Sequence, residues 1–188
     1  GGIYMFNFFN VDHLIGEKPY FAHTKRVNNQ QKELLIDHMN LTMKYFSLYC
    51  DKKRIIPVIE SLITKAGFDE NEADIIKDLF INAIYMHDIG KINPDYQRKR
   101  MGNSYFDVSG IGTVHSIYSS IIYLAEAMKR YPSLNRKCFM TMLAFAYVIS
   151  SHHGCLTSPD DFQANLESYS QNGFYDFNTK DALDNNKN

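Results

Sequence analysis

Seven histidines, at positions 13, 23, 38, 87, 115, 152 and 153, carry most of the chemistry this sequence could do. Five of them, His38, His87, His115, His152 and His153, fall on or at the ends of four segments with helical periodicity, on the apolar side. Any one alone is most simply a core residue hydrogen-bonded to a carbonyl. Five together, with Asp88 directly after His87, need another explanation, because buried imidazoles and a carboxylate are costly unless paired or metal-bound. The pairs His87-Asp88 and His152-His153 both stand just before a glycine, Gly90 and Gly154. Neighbours in mid-helix point about 100° apart, so a pair can serve one ion only where the helix ends and the backbone turns. A carboxylate has two oxygens and can bridge two ions, whereas each imidazole holds one. Such a His-rich, Asp-bridged set favours Mn, Fe, Co, Ni or Zn over the all-oxygen sites of Mg or Ca. Two such ions bind a phosphate, activate water and steady the leaving oxygen in phosphodiester hydrolysis. Lys91, one turn on, is placed to meet phosphate charge; as a lone lysine at a helix C-terminus it reads equally as a solvated charge.

The elements that must position these groups are helical nearly throughout. In Gln31–Cys50, Leu34, Leu35, His38, Thr42, Tyr45, Phe46 and Tyr49 form one stripe at 3–4 spacing. Ile55–Ala66 reads as a second helix stopped by Gly67. Asp69 caps a third, with Glu72 in capping-box position, whose inner stripe runs from Ile76 to His87 and ends by Gly90 and Pro94. Arg98–Thr113 is polar and glycine-bearing and reads as a loop. Helices over Val114–Tyr131 and Lys137–His153 follow, then a short one over Asp160–Tyr169 after Ser158-Pro159. No segment reads as a strand. The expected fold is all-α, a helical bundle with its metal site between helices.

At 188 residues and 45% hydrophobic content the chain can bury a substantial core. Its net charge of -1 excludes a strongly basic field that would hold duplex DNA unaided. Three scattered cysteines, Cys50, Cys138 and Cys155, argue against a disulfide framework and suit a reducing, cytoplasmic setting. No apolar run approaches the roughly 18 residues of a membrane span, and Ile3–Phe9 is too short for a secretory leader. Gly1-Gly2 reads as a tag scar.

Around the histidines stand A-H-T at 22–24, L-L-I-D-H-M at 34–39, H-D-I-G-K-I-N-P-D-Y-Q at 87–97, H-S-I-Y-S at 115–119 and S-S-H-H-G at 150–154. In this order and at these intervals they resemble the HD nuclease domain of type I CRISPR interference, within the HD phosphohydrolase superfamily. The likeness spans roughly residues 20–155. It implies an HD-domain bundle over 21–170, with a lead-in over 1–20 and a polar tail over 171–188 cut from a longer protein. The implied metal ligands are His38, His87, Asp88, His115, His152 and His153, holding two divalent transition-metal ions. Lys91 would face the scissile phosphate, and Ser119 matches the small polar residue after the third histidine motif. The implied activity is cleavage of single-stranded DNA, with a CRISPR helicase, fused or separate, and a crRNA-guided surveillance complex as partners. The family pattern also carries an aspartate ligand well downstream of the double histidine. Asp160 and Asp161 come too soon for it, and Asp176, Asp181 and Asp184 sit in the polar tail, so it is expected beyond residue 188.

Other residues read more plainly. His23 suits a supporting role beside the metal ligands, His13 an exposed one, and Cys155 simple packing. Arg98-Lys99-Arg100, with Tyr96 and Tyr105 for base stacking, could guide a DNA backbone to the site or be solvated surface. Lys52-Lys53-Arg54 reads as surface, and Phe139, Met140, Met142 and Phe145 as core. Two rival functions use the same histidines: a phosphohydrolase of a small nucleotide (a dNTP or cyclic dinucleotide), and a catalytically incomplete docking module.

Overall fold

The structure, a computed structural model, describes residues 6–24 and 32–171. In chain order the elements are α1 (Asp12–Ile15), β1 (Phe21–Thr24), β2 (Lys32–Leu34), α2 (Leu35–Lys53), α3 (Ile55–Lys65) and α4 (Glu70–Met86). A 3-10 turn (Ile89–Ile92) is followed by α5 (Pro94–Lys99), α6 (Ser116–Arg130), α7 (Arg136–Ser150) and α8 (Pro159–Ser170). The fold is helical, as the periodicity implies. Asp69 and Glu72 form the reciprocal capping box at the start of α4, and Ser158 caps α8 through the Asp161 amide.

The small two-stranded sheet departs from the sequence reading. Lys32–Leu34, expected within the first helix, pairs antiparallel with Phe21–Thr24, setting His23 opposite Glu33, with an irregularity between Phe21 and His23. Leu34 and Leu35 fit the helical stripe as well as a strand end, so a pairing this short leaves no periodic trace. Also unforeseen, α5 extends into the expected loop as far as Lys99.

α6 is the spine of the bundle. Every residue from Ile117 to Ala127 is buried, as expected of a helix packed on all sides. It packs against α4, α7, α8 and the 3-10 turn. Inside the core, Ser120 Oγ donates to Ile117 O and Tyr123 OH to Leu79 O. Leu35, Met39, Leu79, Met86, Ile89, Ile121, Ile122 and Met142 are the fully buried side chains at the centre. Phe139 and Met142 are core residues, but Met140 is exposed. No helix among the described residues is long and apolar enough to cross a membrane.

Candidate metal centre

The sequence-predicted ligands arrive from four helices. His38 lies in the first turns of α2, and His87 is the C-cap of α4. Asp88 opens the 3-10 turn, His115 is the N-cap of α6, and His152 and His153 follow the end of α7. Both adjacent pairs therefore sit where a helix ends. Asp88 is the hub, only 3% exposed. Its two oxygens face two different sets. Oδ2 lies 3.0 Å from His38 Nε2 and 3.3 Å from His87 Nε2. Oδ1 lies 3.3 Å from the Nε2 atoms of His115 and His152 and 3.9 Å from that of His153. Two ligand groups result, His38–His87–Asp88 and Asp88–His115–His152–His153, each with donor atoms within 4.8 Å of one another.

The hydrogen bonds on the far side of the rings bear on what fits here. His87 Nδ1 meets Ile84 O at 2.9 Å and His152 Nδ1 meets Ile149 O at 2.6 Å. A carbonyl only accepts, so Nδ1 carries the proton, and in the neutral ring Nε2 turns a lone pair inward. Nε2 of His115 and His153 stand 2.9 Å apart. His38 Nε2 is buried, and its 3.0 Å approach to Asp88 Oδ2 is not directed as a hydrogen bond. Lone pairs crowded around a carboxylate repel unless protons or cations lie between them. The donor set fits divalent transition metals, which take neutral imidazole and carboxylate together.

Electrostatics point the same way. Burial pushes the Asp88 carboxyl up, but the imidazoles of His115, His152, His38 and His87 outweigh it and hold the group well below the usual carboxylate range. At His115 burial prevails over the attraction of Asp88, so the imidazole titrates below its ordinary value; at His153 burial and the neighbouring imidazoles act in that direction too. At His87 burial opposes charging, yet the adjacent carboxylate raises the pKa.

A buried polar scaffold holds this cluster. Gly90 N–H donates to Ser119 Oγ at 2.8 Å, clamping the 3-10 turn onto α6. A Cβ at Gly90 would collide with the carbonyl oxygen of His115 and the backbone nitrogen of Ser119. Gly90→Ala is therefore expected to lower stability by about 1–3 kcal/mol and to displace His115; urea melts together with a metal-binding titration check this. Asn93 caps α5 through Asp95 N and Tyr96 N, and its amide donates to Gly112 O and Val114 O, just before His115. Gln97, wholly buried, donates to Lys91 O and Phe21 O and accepts from Phe21 N and Asn103 Nδ2. Asp95, also wholly buried, accepts from Ser109, Gly110, Gly112 and Lys99. These three side chains were not foreseen as important; the polar run 93–97 was the available signal.

Several expectations need correction or relocation. Ser119, expected near the substrate, is wholly buried, and its hydroxyl accepts from Gly90 N–H and so positions the turn. Lys91 is 2% exposed and its ammonium donates to Asp88 Oδ2 at 2.9 Å, so it is directed at the hub carboxylate and away from open solvent. Arg98, Lys99 and Arg100 are exposed, but Lys99 pairs with Asp95 and Arg100 Nε donates to Thr113 Oγ1. Tyr96 does reach the centre, its ring 4.6 Å from that of His115, whereas Tyr105 packs on Phe106. His23 bonds Glu33 at 2.7 Å, and Glu33 lies 3.6 Å from His38 Nδ1, placing a carboxylate behind that ligand. Glu33 was missed because the strand pairing that brings it there is not legible. His13 contacts Glu126, toward the C-terminal end of α6 and so remote from the His115 N-cap. Asp160 and Asp161 open α8 and belong to neither ligand group around Asp88; Asp176, Asp181 and Asp184 lie outside the described residues.

A helical bundle in which a His-Asp pair ends one helix and meets histidines from three others defines an HD-type domain. A family model described as Cas3, HD domain, matches residues 22–184, and the chain belongs to that family, the HD nuclease domains of Cas3-like proteins of type I CRISPR systems. No curated protein and no solved structure gave a match. Membership brings with it a metal-dependent hydrolase activity of the nuclease kind and a place in CRISPR antiviral defence.

Proposed function

We propose that the chain cleaves single-stranded DNA during CRISPR interference, using two divalent transition-metal ions held by His38, His87, Asp88, His115, His152 and His153. The observation that carries this reading is the division of Asp88: one oxygen faces His38 and His87, the other His115, His152 and His153. Ions bound there would polarise the phosphodiester and activate water. The protein's own part is orientation. Carbonyls of Ile84 and Ile149 fix the ring directions of His87 and His152, and Lys91 donates to Asp88 Oδ2 and steadies the carboxylate between the two sets. Glu33 stands behind His38 as an outer partner of the kind that raises imidazole basicity. With a net charge of -1, the chain needs a partner to deliver the strand, which suits a helicase and a crRNA-guided complex working from the cytoplasm.

The test is a side-by-side assay of the metal-loaded chain on single-stranded DNA, duplex DNA, dNTPs and cyclic dinucleotides with Mn, Fe, Co, Ni and Zn. Single strands alone should be cut, and a chelator should stop the reaction. Turnover confined to the small nucleotides, or cleavage that survives chelation, would overturn the proposal.

A further inference from the structure

An apolar groove shares two side chains, His87 and His152, with the metal cluster. Its volume is about 440 Å³, and its walls include Phe80, Ile84, Phe145 and Val148 together with His87 and His152. Phe80 and Phe145 stand edge to face at 5.8 Å between ring centroids. Val148 at the rim is 57% exposed. A second groove of about 290 Å³ is lined by His153 with Ser116, Ser150, Ser151, Thr157 and Asn165, alongside apolar Val114 and Ile117. The adjacent histidines converge on Asp88 Oδ1, and each lines a different groove, His152 the apolar one and His153 the other.

We infer that the apolar groove is a nucleobase subsite, receiving the base next to the phosphodiester held at the cluster. The inference rests on the phosphodiesterase reading above and adds the recognition of the strand to it. Two of the groove's lining residues are themselves candidate metal ligands, so its occupant must be continuous with the group at the centre. A phosphodiester carries a nucleoside on each side, and each groove is lined by at least one candidate ligand, His87 and His152 in one and His153 in the other. The apolar groove has no cation, which excludes phosphate itself, and Thr42 is its one hydroxyl-bearing residue. What suits such walls is a flat, largely apolar group held by ring contacts. Contacts of that kind accept any base, since every base has a π-face. The hydroxyls and amide of the second groove suit sugar and phosphate of the continuing strand. The subsite would therefore confer a requirement for nucleic acid without a requirement for sequence.

The experiment compares p-nitrophenyl esters hydrolysed by the metal-loaded chain: thymidine 5′- and 3′-(p-nitrophenyl phosphate) against methyl p-nitrophenyl phosphate, which has no base. At least one thymidine ester should exceed the methyl ester in kcat/KM by about tenfold or more. In Phe145→Leu, and independently in Phe80→Leu, that ratio should fall to near one, whatever the absolute rates. Equal kcat/KM for the thymidine and methyl esters in the unaltered chain would overturn the subsite, as would a ratio that both variants leave intact. Failure to hydrolyse any of the three esters would instead bring down the phosphodiesterase reading, and the subsite with it.

Discussion

Asp88→Asn is expected to abolish metal loading and cleavage together while also weakening the fold. The amide keeps the shape of the carboxylate but neither its charge nor its two equivalent oxygens. One of the two ligand groups then loses its anionic member, and the other keeps at most a weak carbonyl. Metal content should fall below one ion per chain, and phosphodiester turnover by at least about a hundredfold, more than removal of an outer hydrogen-bond partner costs. The stability effect has a separate cause. Lys91 is as buried as Asp88, at 2% against 3% exposed, and its ammonium lies 2.9 Å from Oδ2. Removing one partner of a buried pair leaves the other charge uncompensated, a loss of about 3–5 kcal/mol. The double variant Asp88→Asn/Lys91→Met removes both charges and should recover most of that stability with no recovery of metal binding. Denaturant melts and elemental analysis on the two variants separate these roles. Normal metal content in Asp88→Asn would show that the carboxylate is not the hub.

How far the sequence leads to this site depends on the physics that places each residue. The histidines were legible because helix ends leave marks: Gly90 and Gly154 follow the two pairs, and the capping box at Asp69 and Glu72 fixes where α4 begins and so where His87 emerges. Apolar stripes likewise located α2, α4, α6 and α7, since a helix four turns long repeats its pattern often enough to be seen. β1 and β2 offer no such repetition. His23 and Glu33 meet across a register that the intervening residues 25–31 do not announce, so the support behind His38 was invisible. Asn93, Asp95 and Gln97 show a different limit. Their types are usually found at the surface, yet all three are completely buried. Residue type reports an average preference, and these side chains defy it because each has backbone partners that no linear pattern displays. Ser119 and Lys91 mark the same limit from the other side. Motif position put both near the chemistry, and geometry gave Ser119 to Gly90 and Lys91 to Asp88.

Asp95→Asn should produce a destabilisation comparable to loss of the hub pair, through the loop alone. Asp95 Oδ1 accepts from the Ser109 hydroxyl and the Ser109 and Gly110 amides, and Oδ2 accepts from the Gly112 amide at 3.1 Å and from Lys99 at 2.9 Å. An asparagine must turn its NH2 toward one of these sets, placing donor against donor in a site with no solvent exposure. Leaving buried donors unsatisfied costs about 1–3 kcal/mol each, so a total loss of about 2–4 kcal/mol is expected. The loop 109–112 leads into His115, and Asn93 ties Gly112 and Val114 to the same turn, so metal affinity should fall as well although Asp95 touches no ligand. The pH dependence gives this prediction its sign. Burial pushes the Asp95 carboxyl up, but the hydrogen bonds from Lys99, Ser109 and Gly110 prevail, leaving it well below the usual range when folded. A depressed carboxyl contributes stability that is fully present above its unfolded pKa, about 3.9, and is lost as pH falls from there through the folded value. Urea melts should therefore show a constant gap between wild type and Asp95→Asn from neutral pH to about 4.5, narrowing below about pH 4 as the carboxyl of the unfolded wild-type chain takes up a proton that the folded one does not. A gap that stays constant down to about pH 3 would mean that the charge on Asp95 contributes nothing to holding the loop.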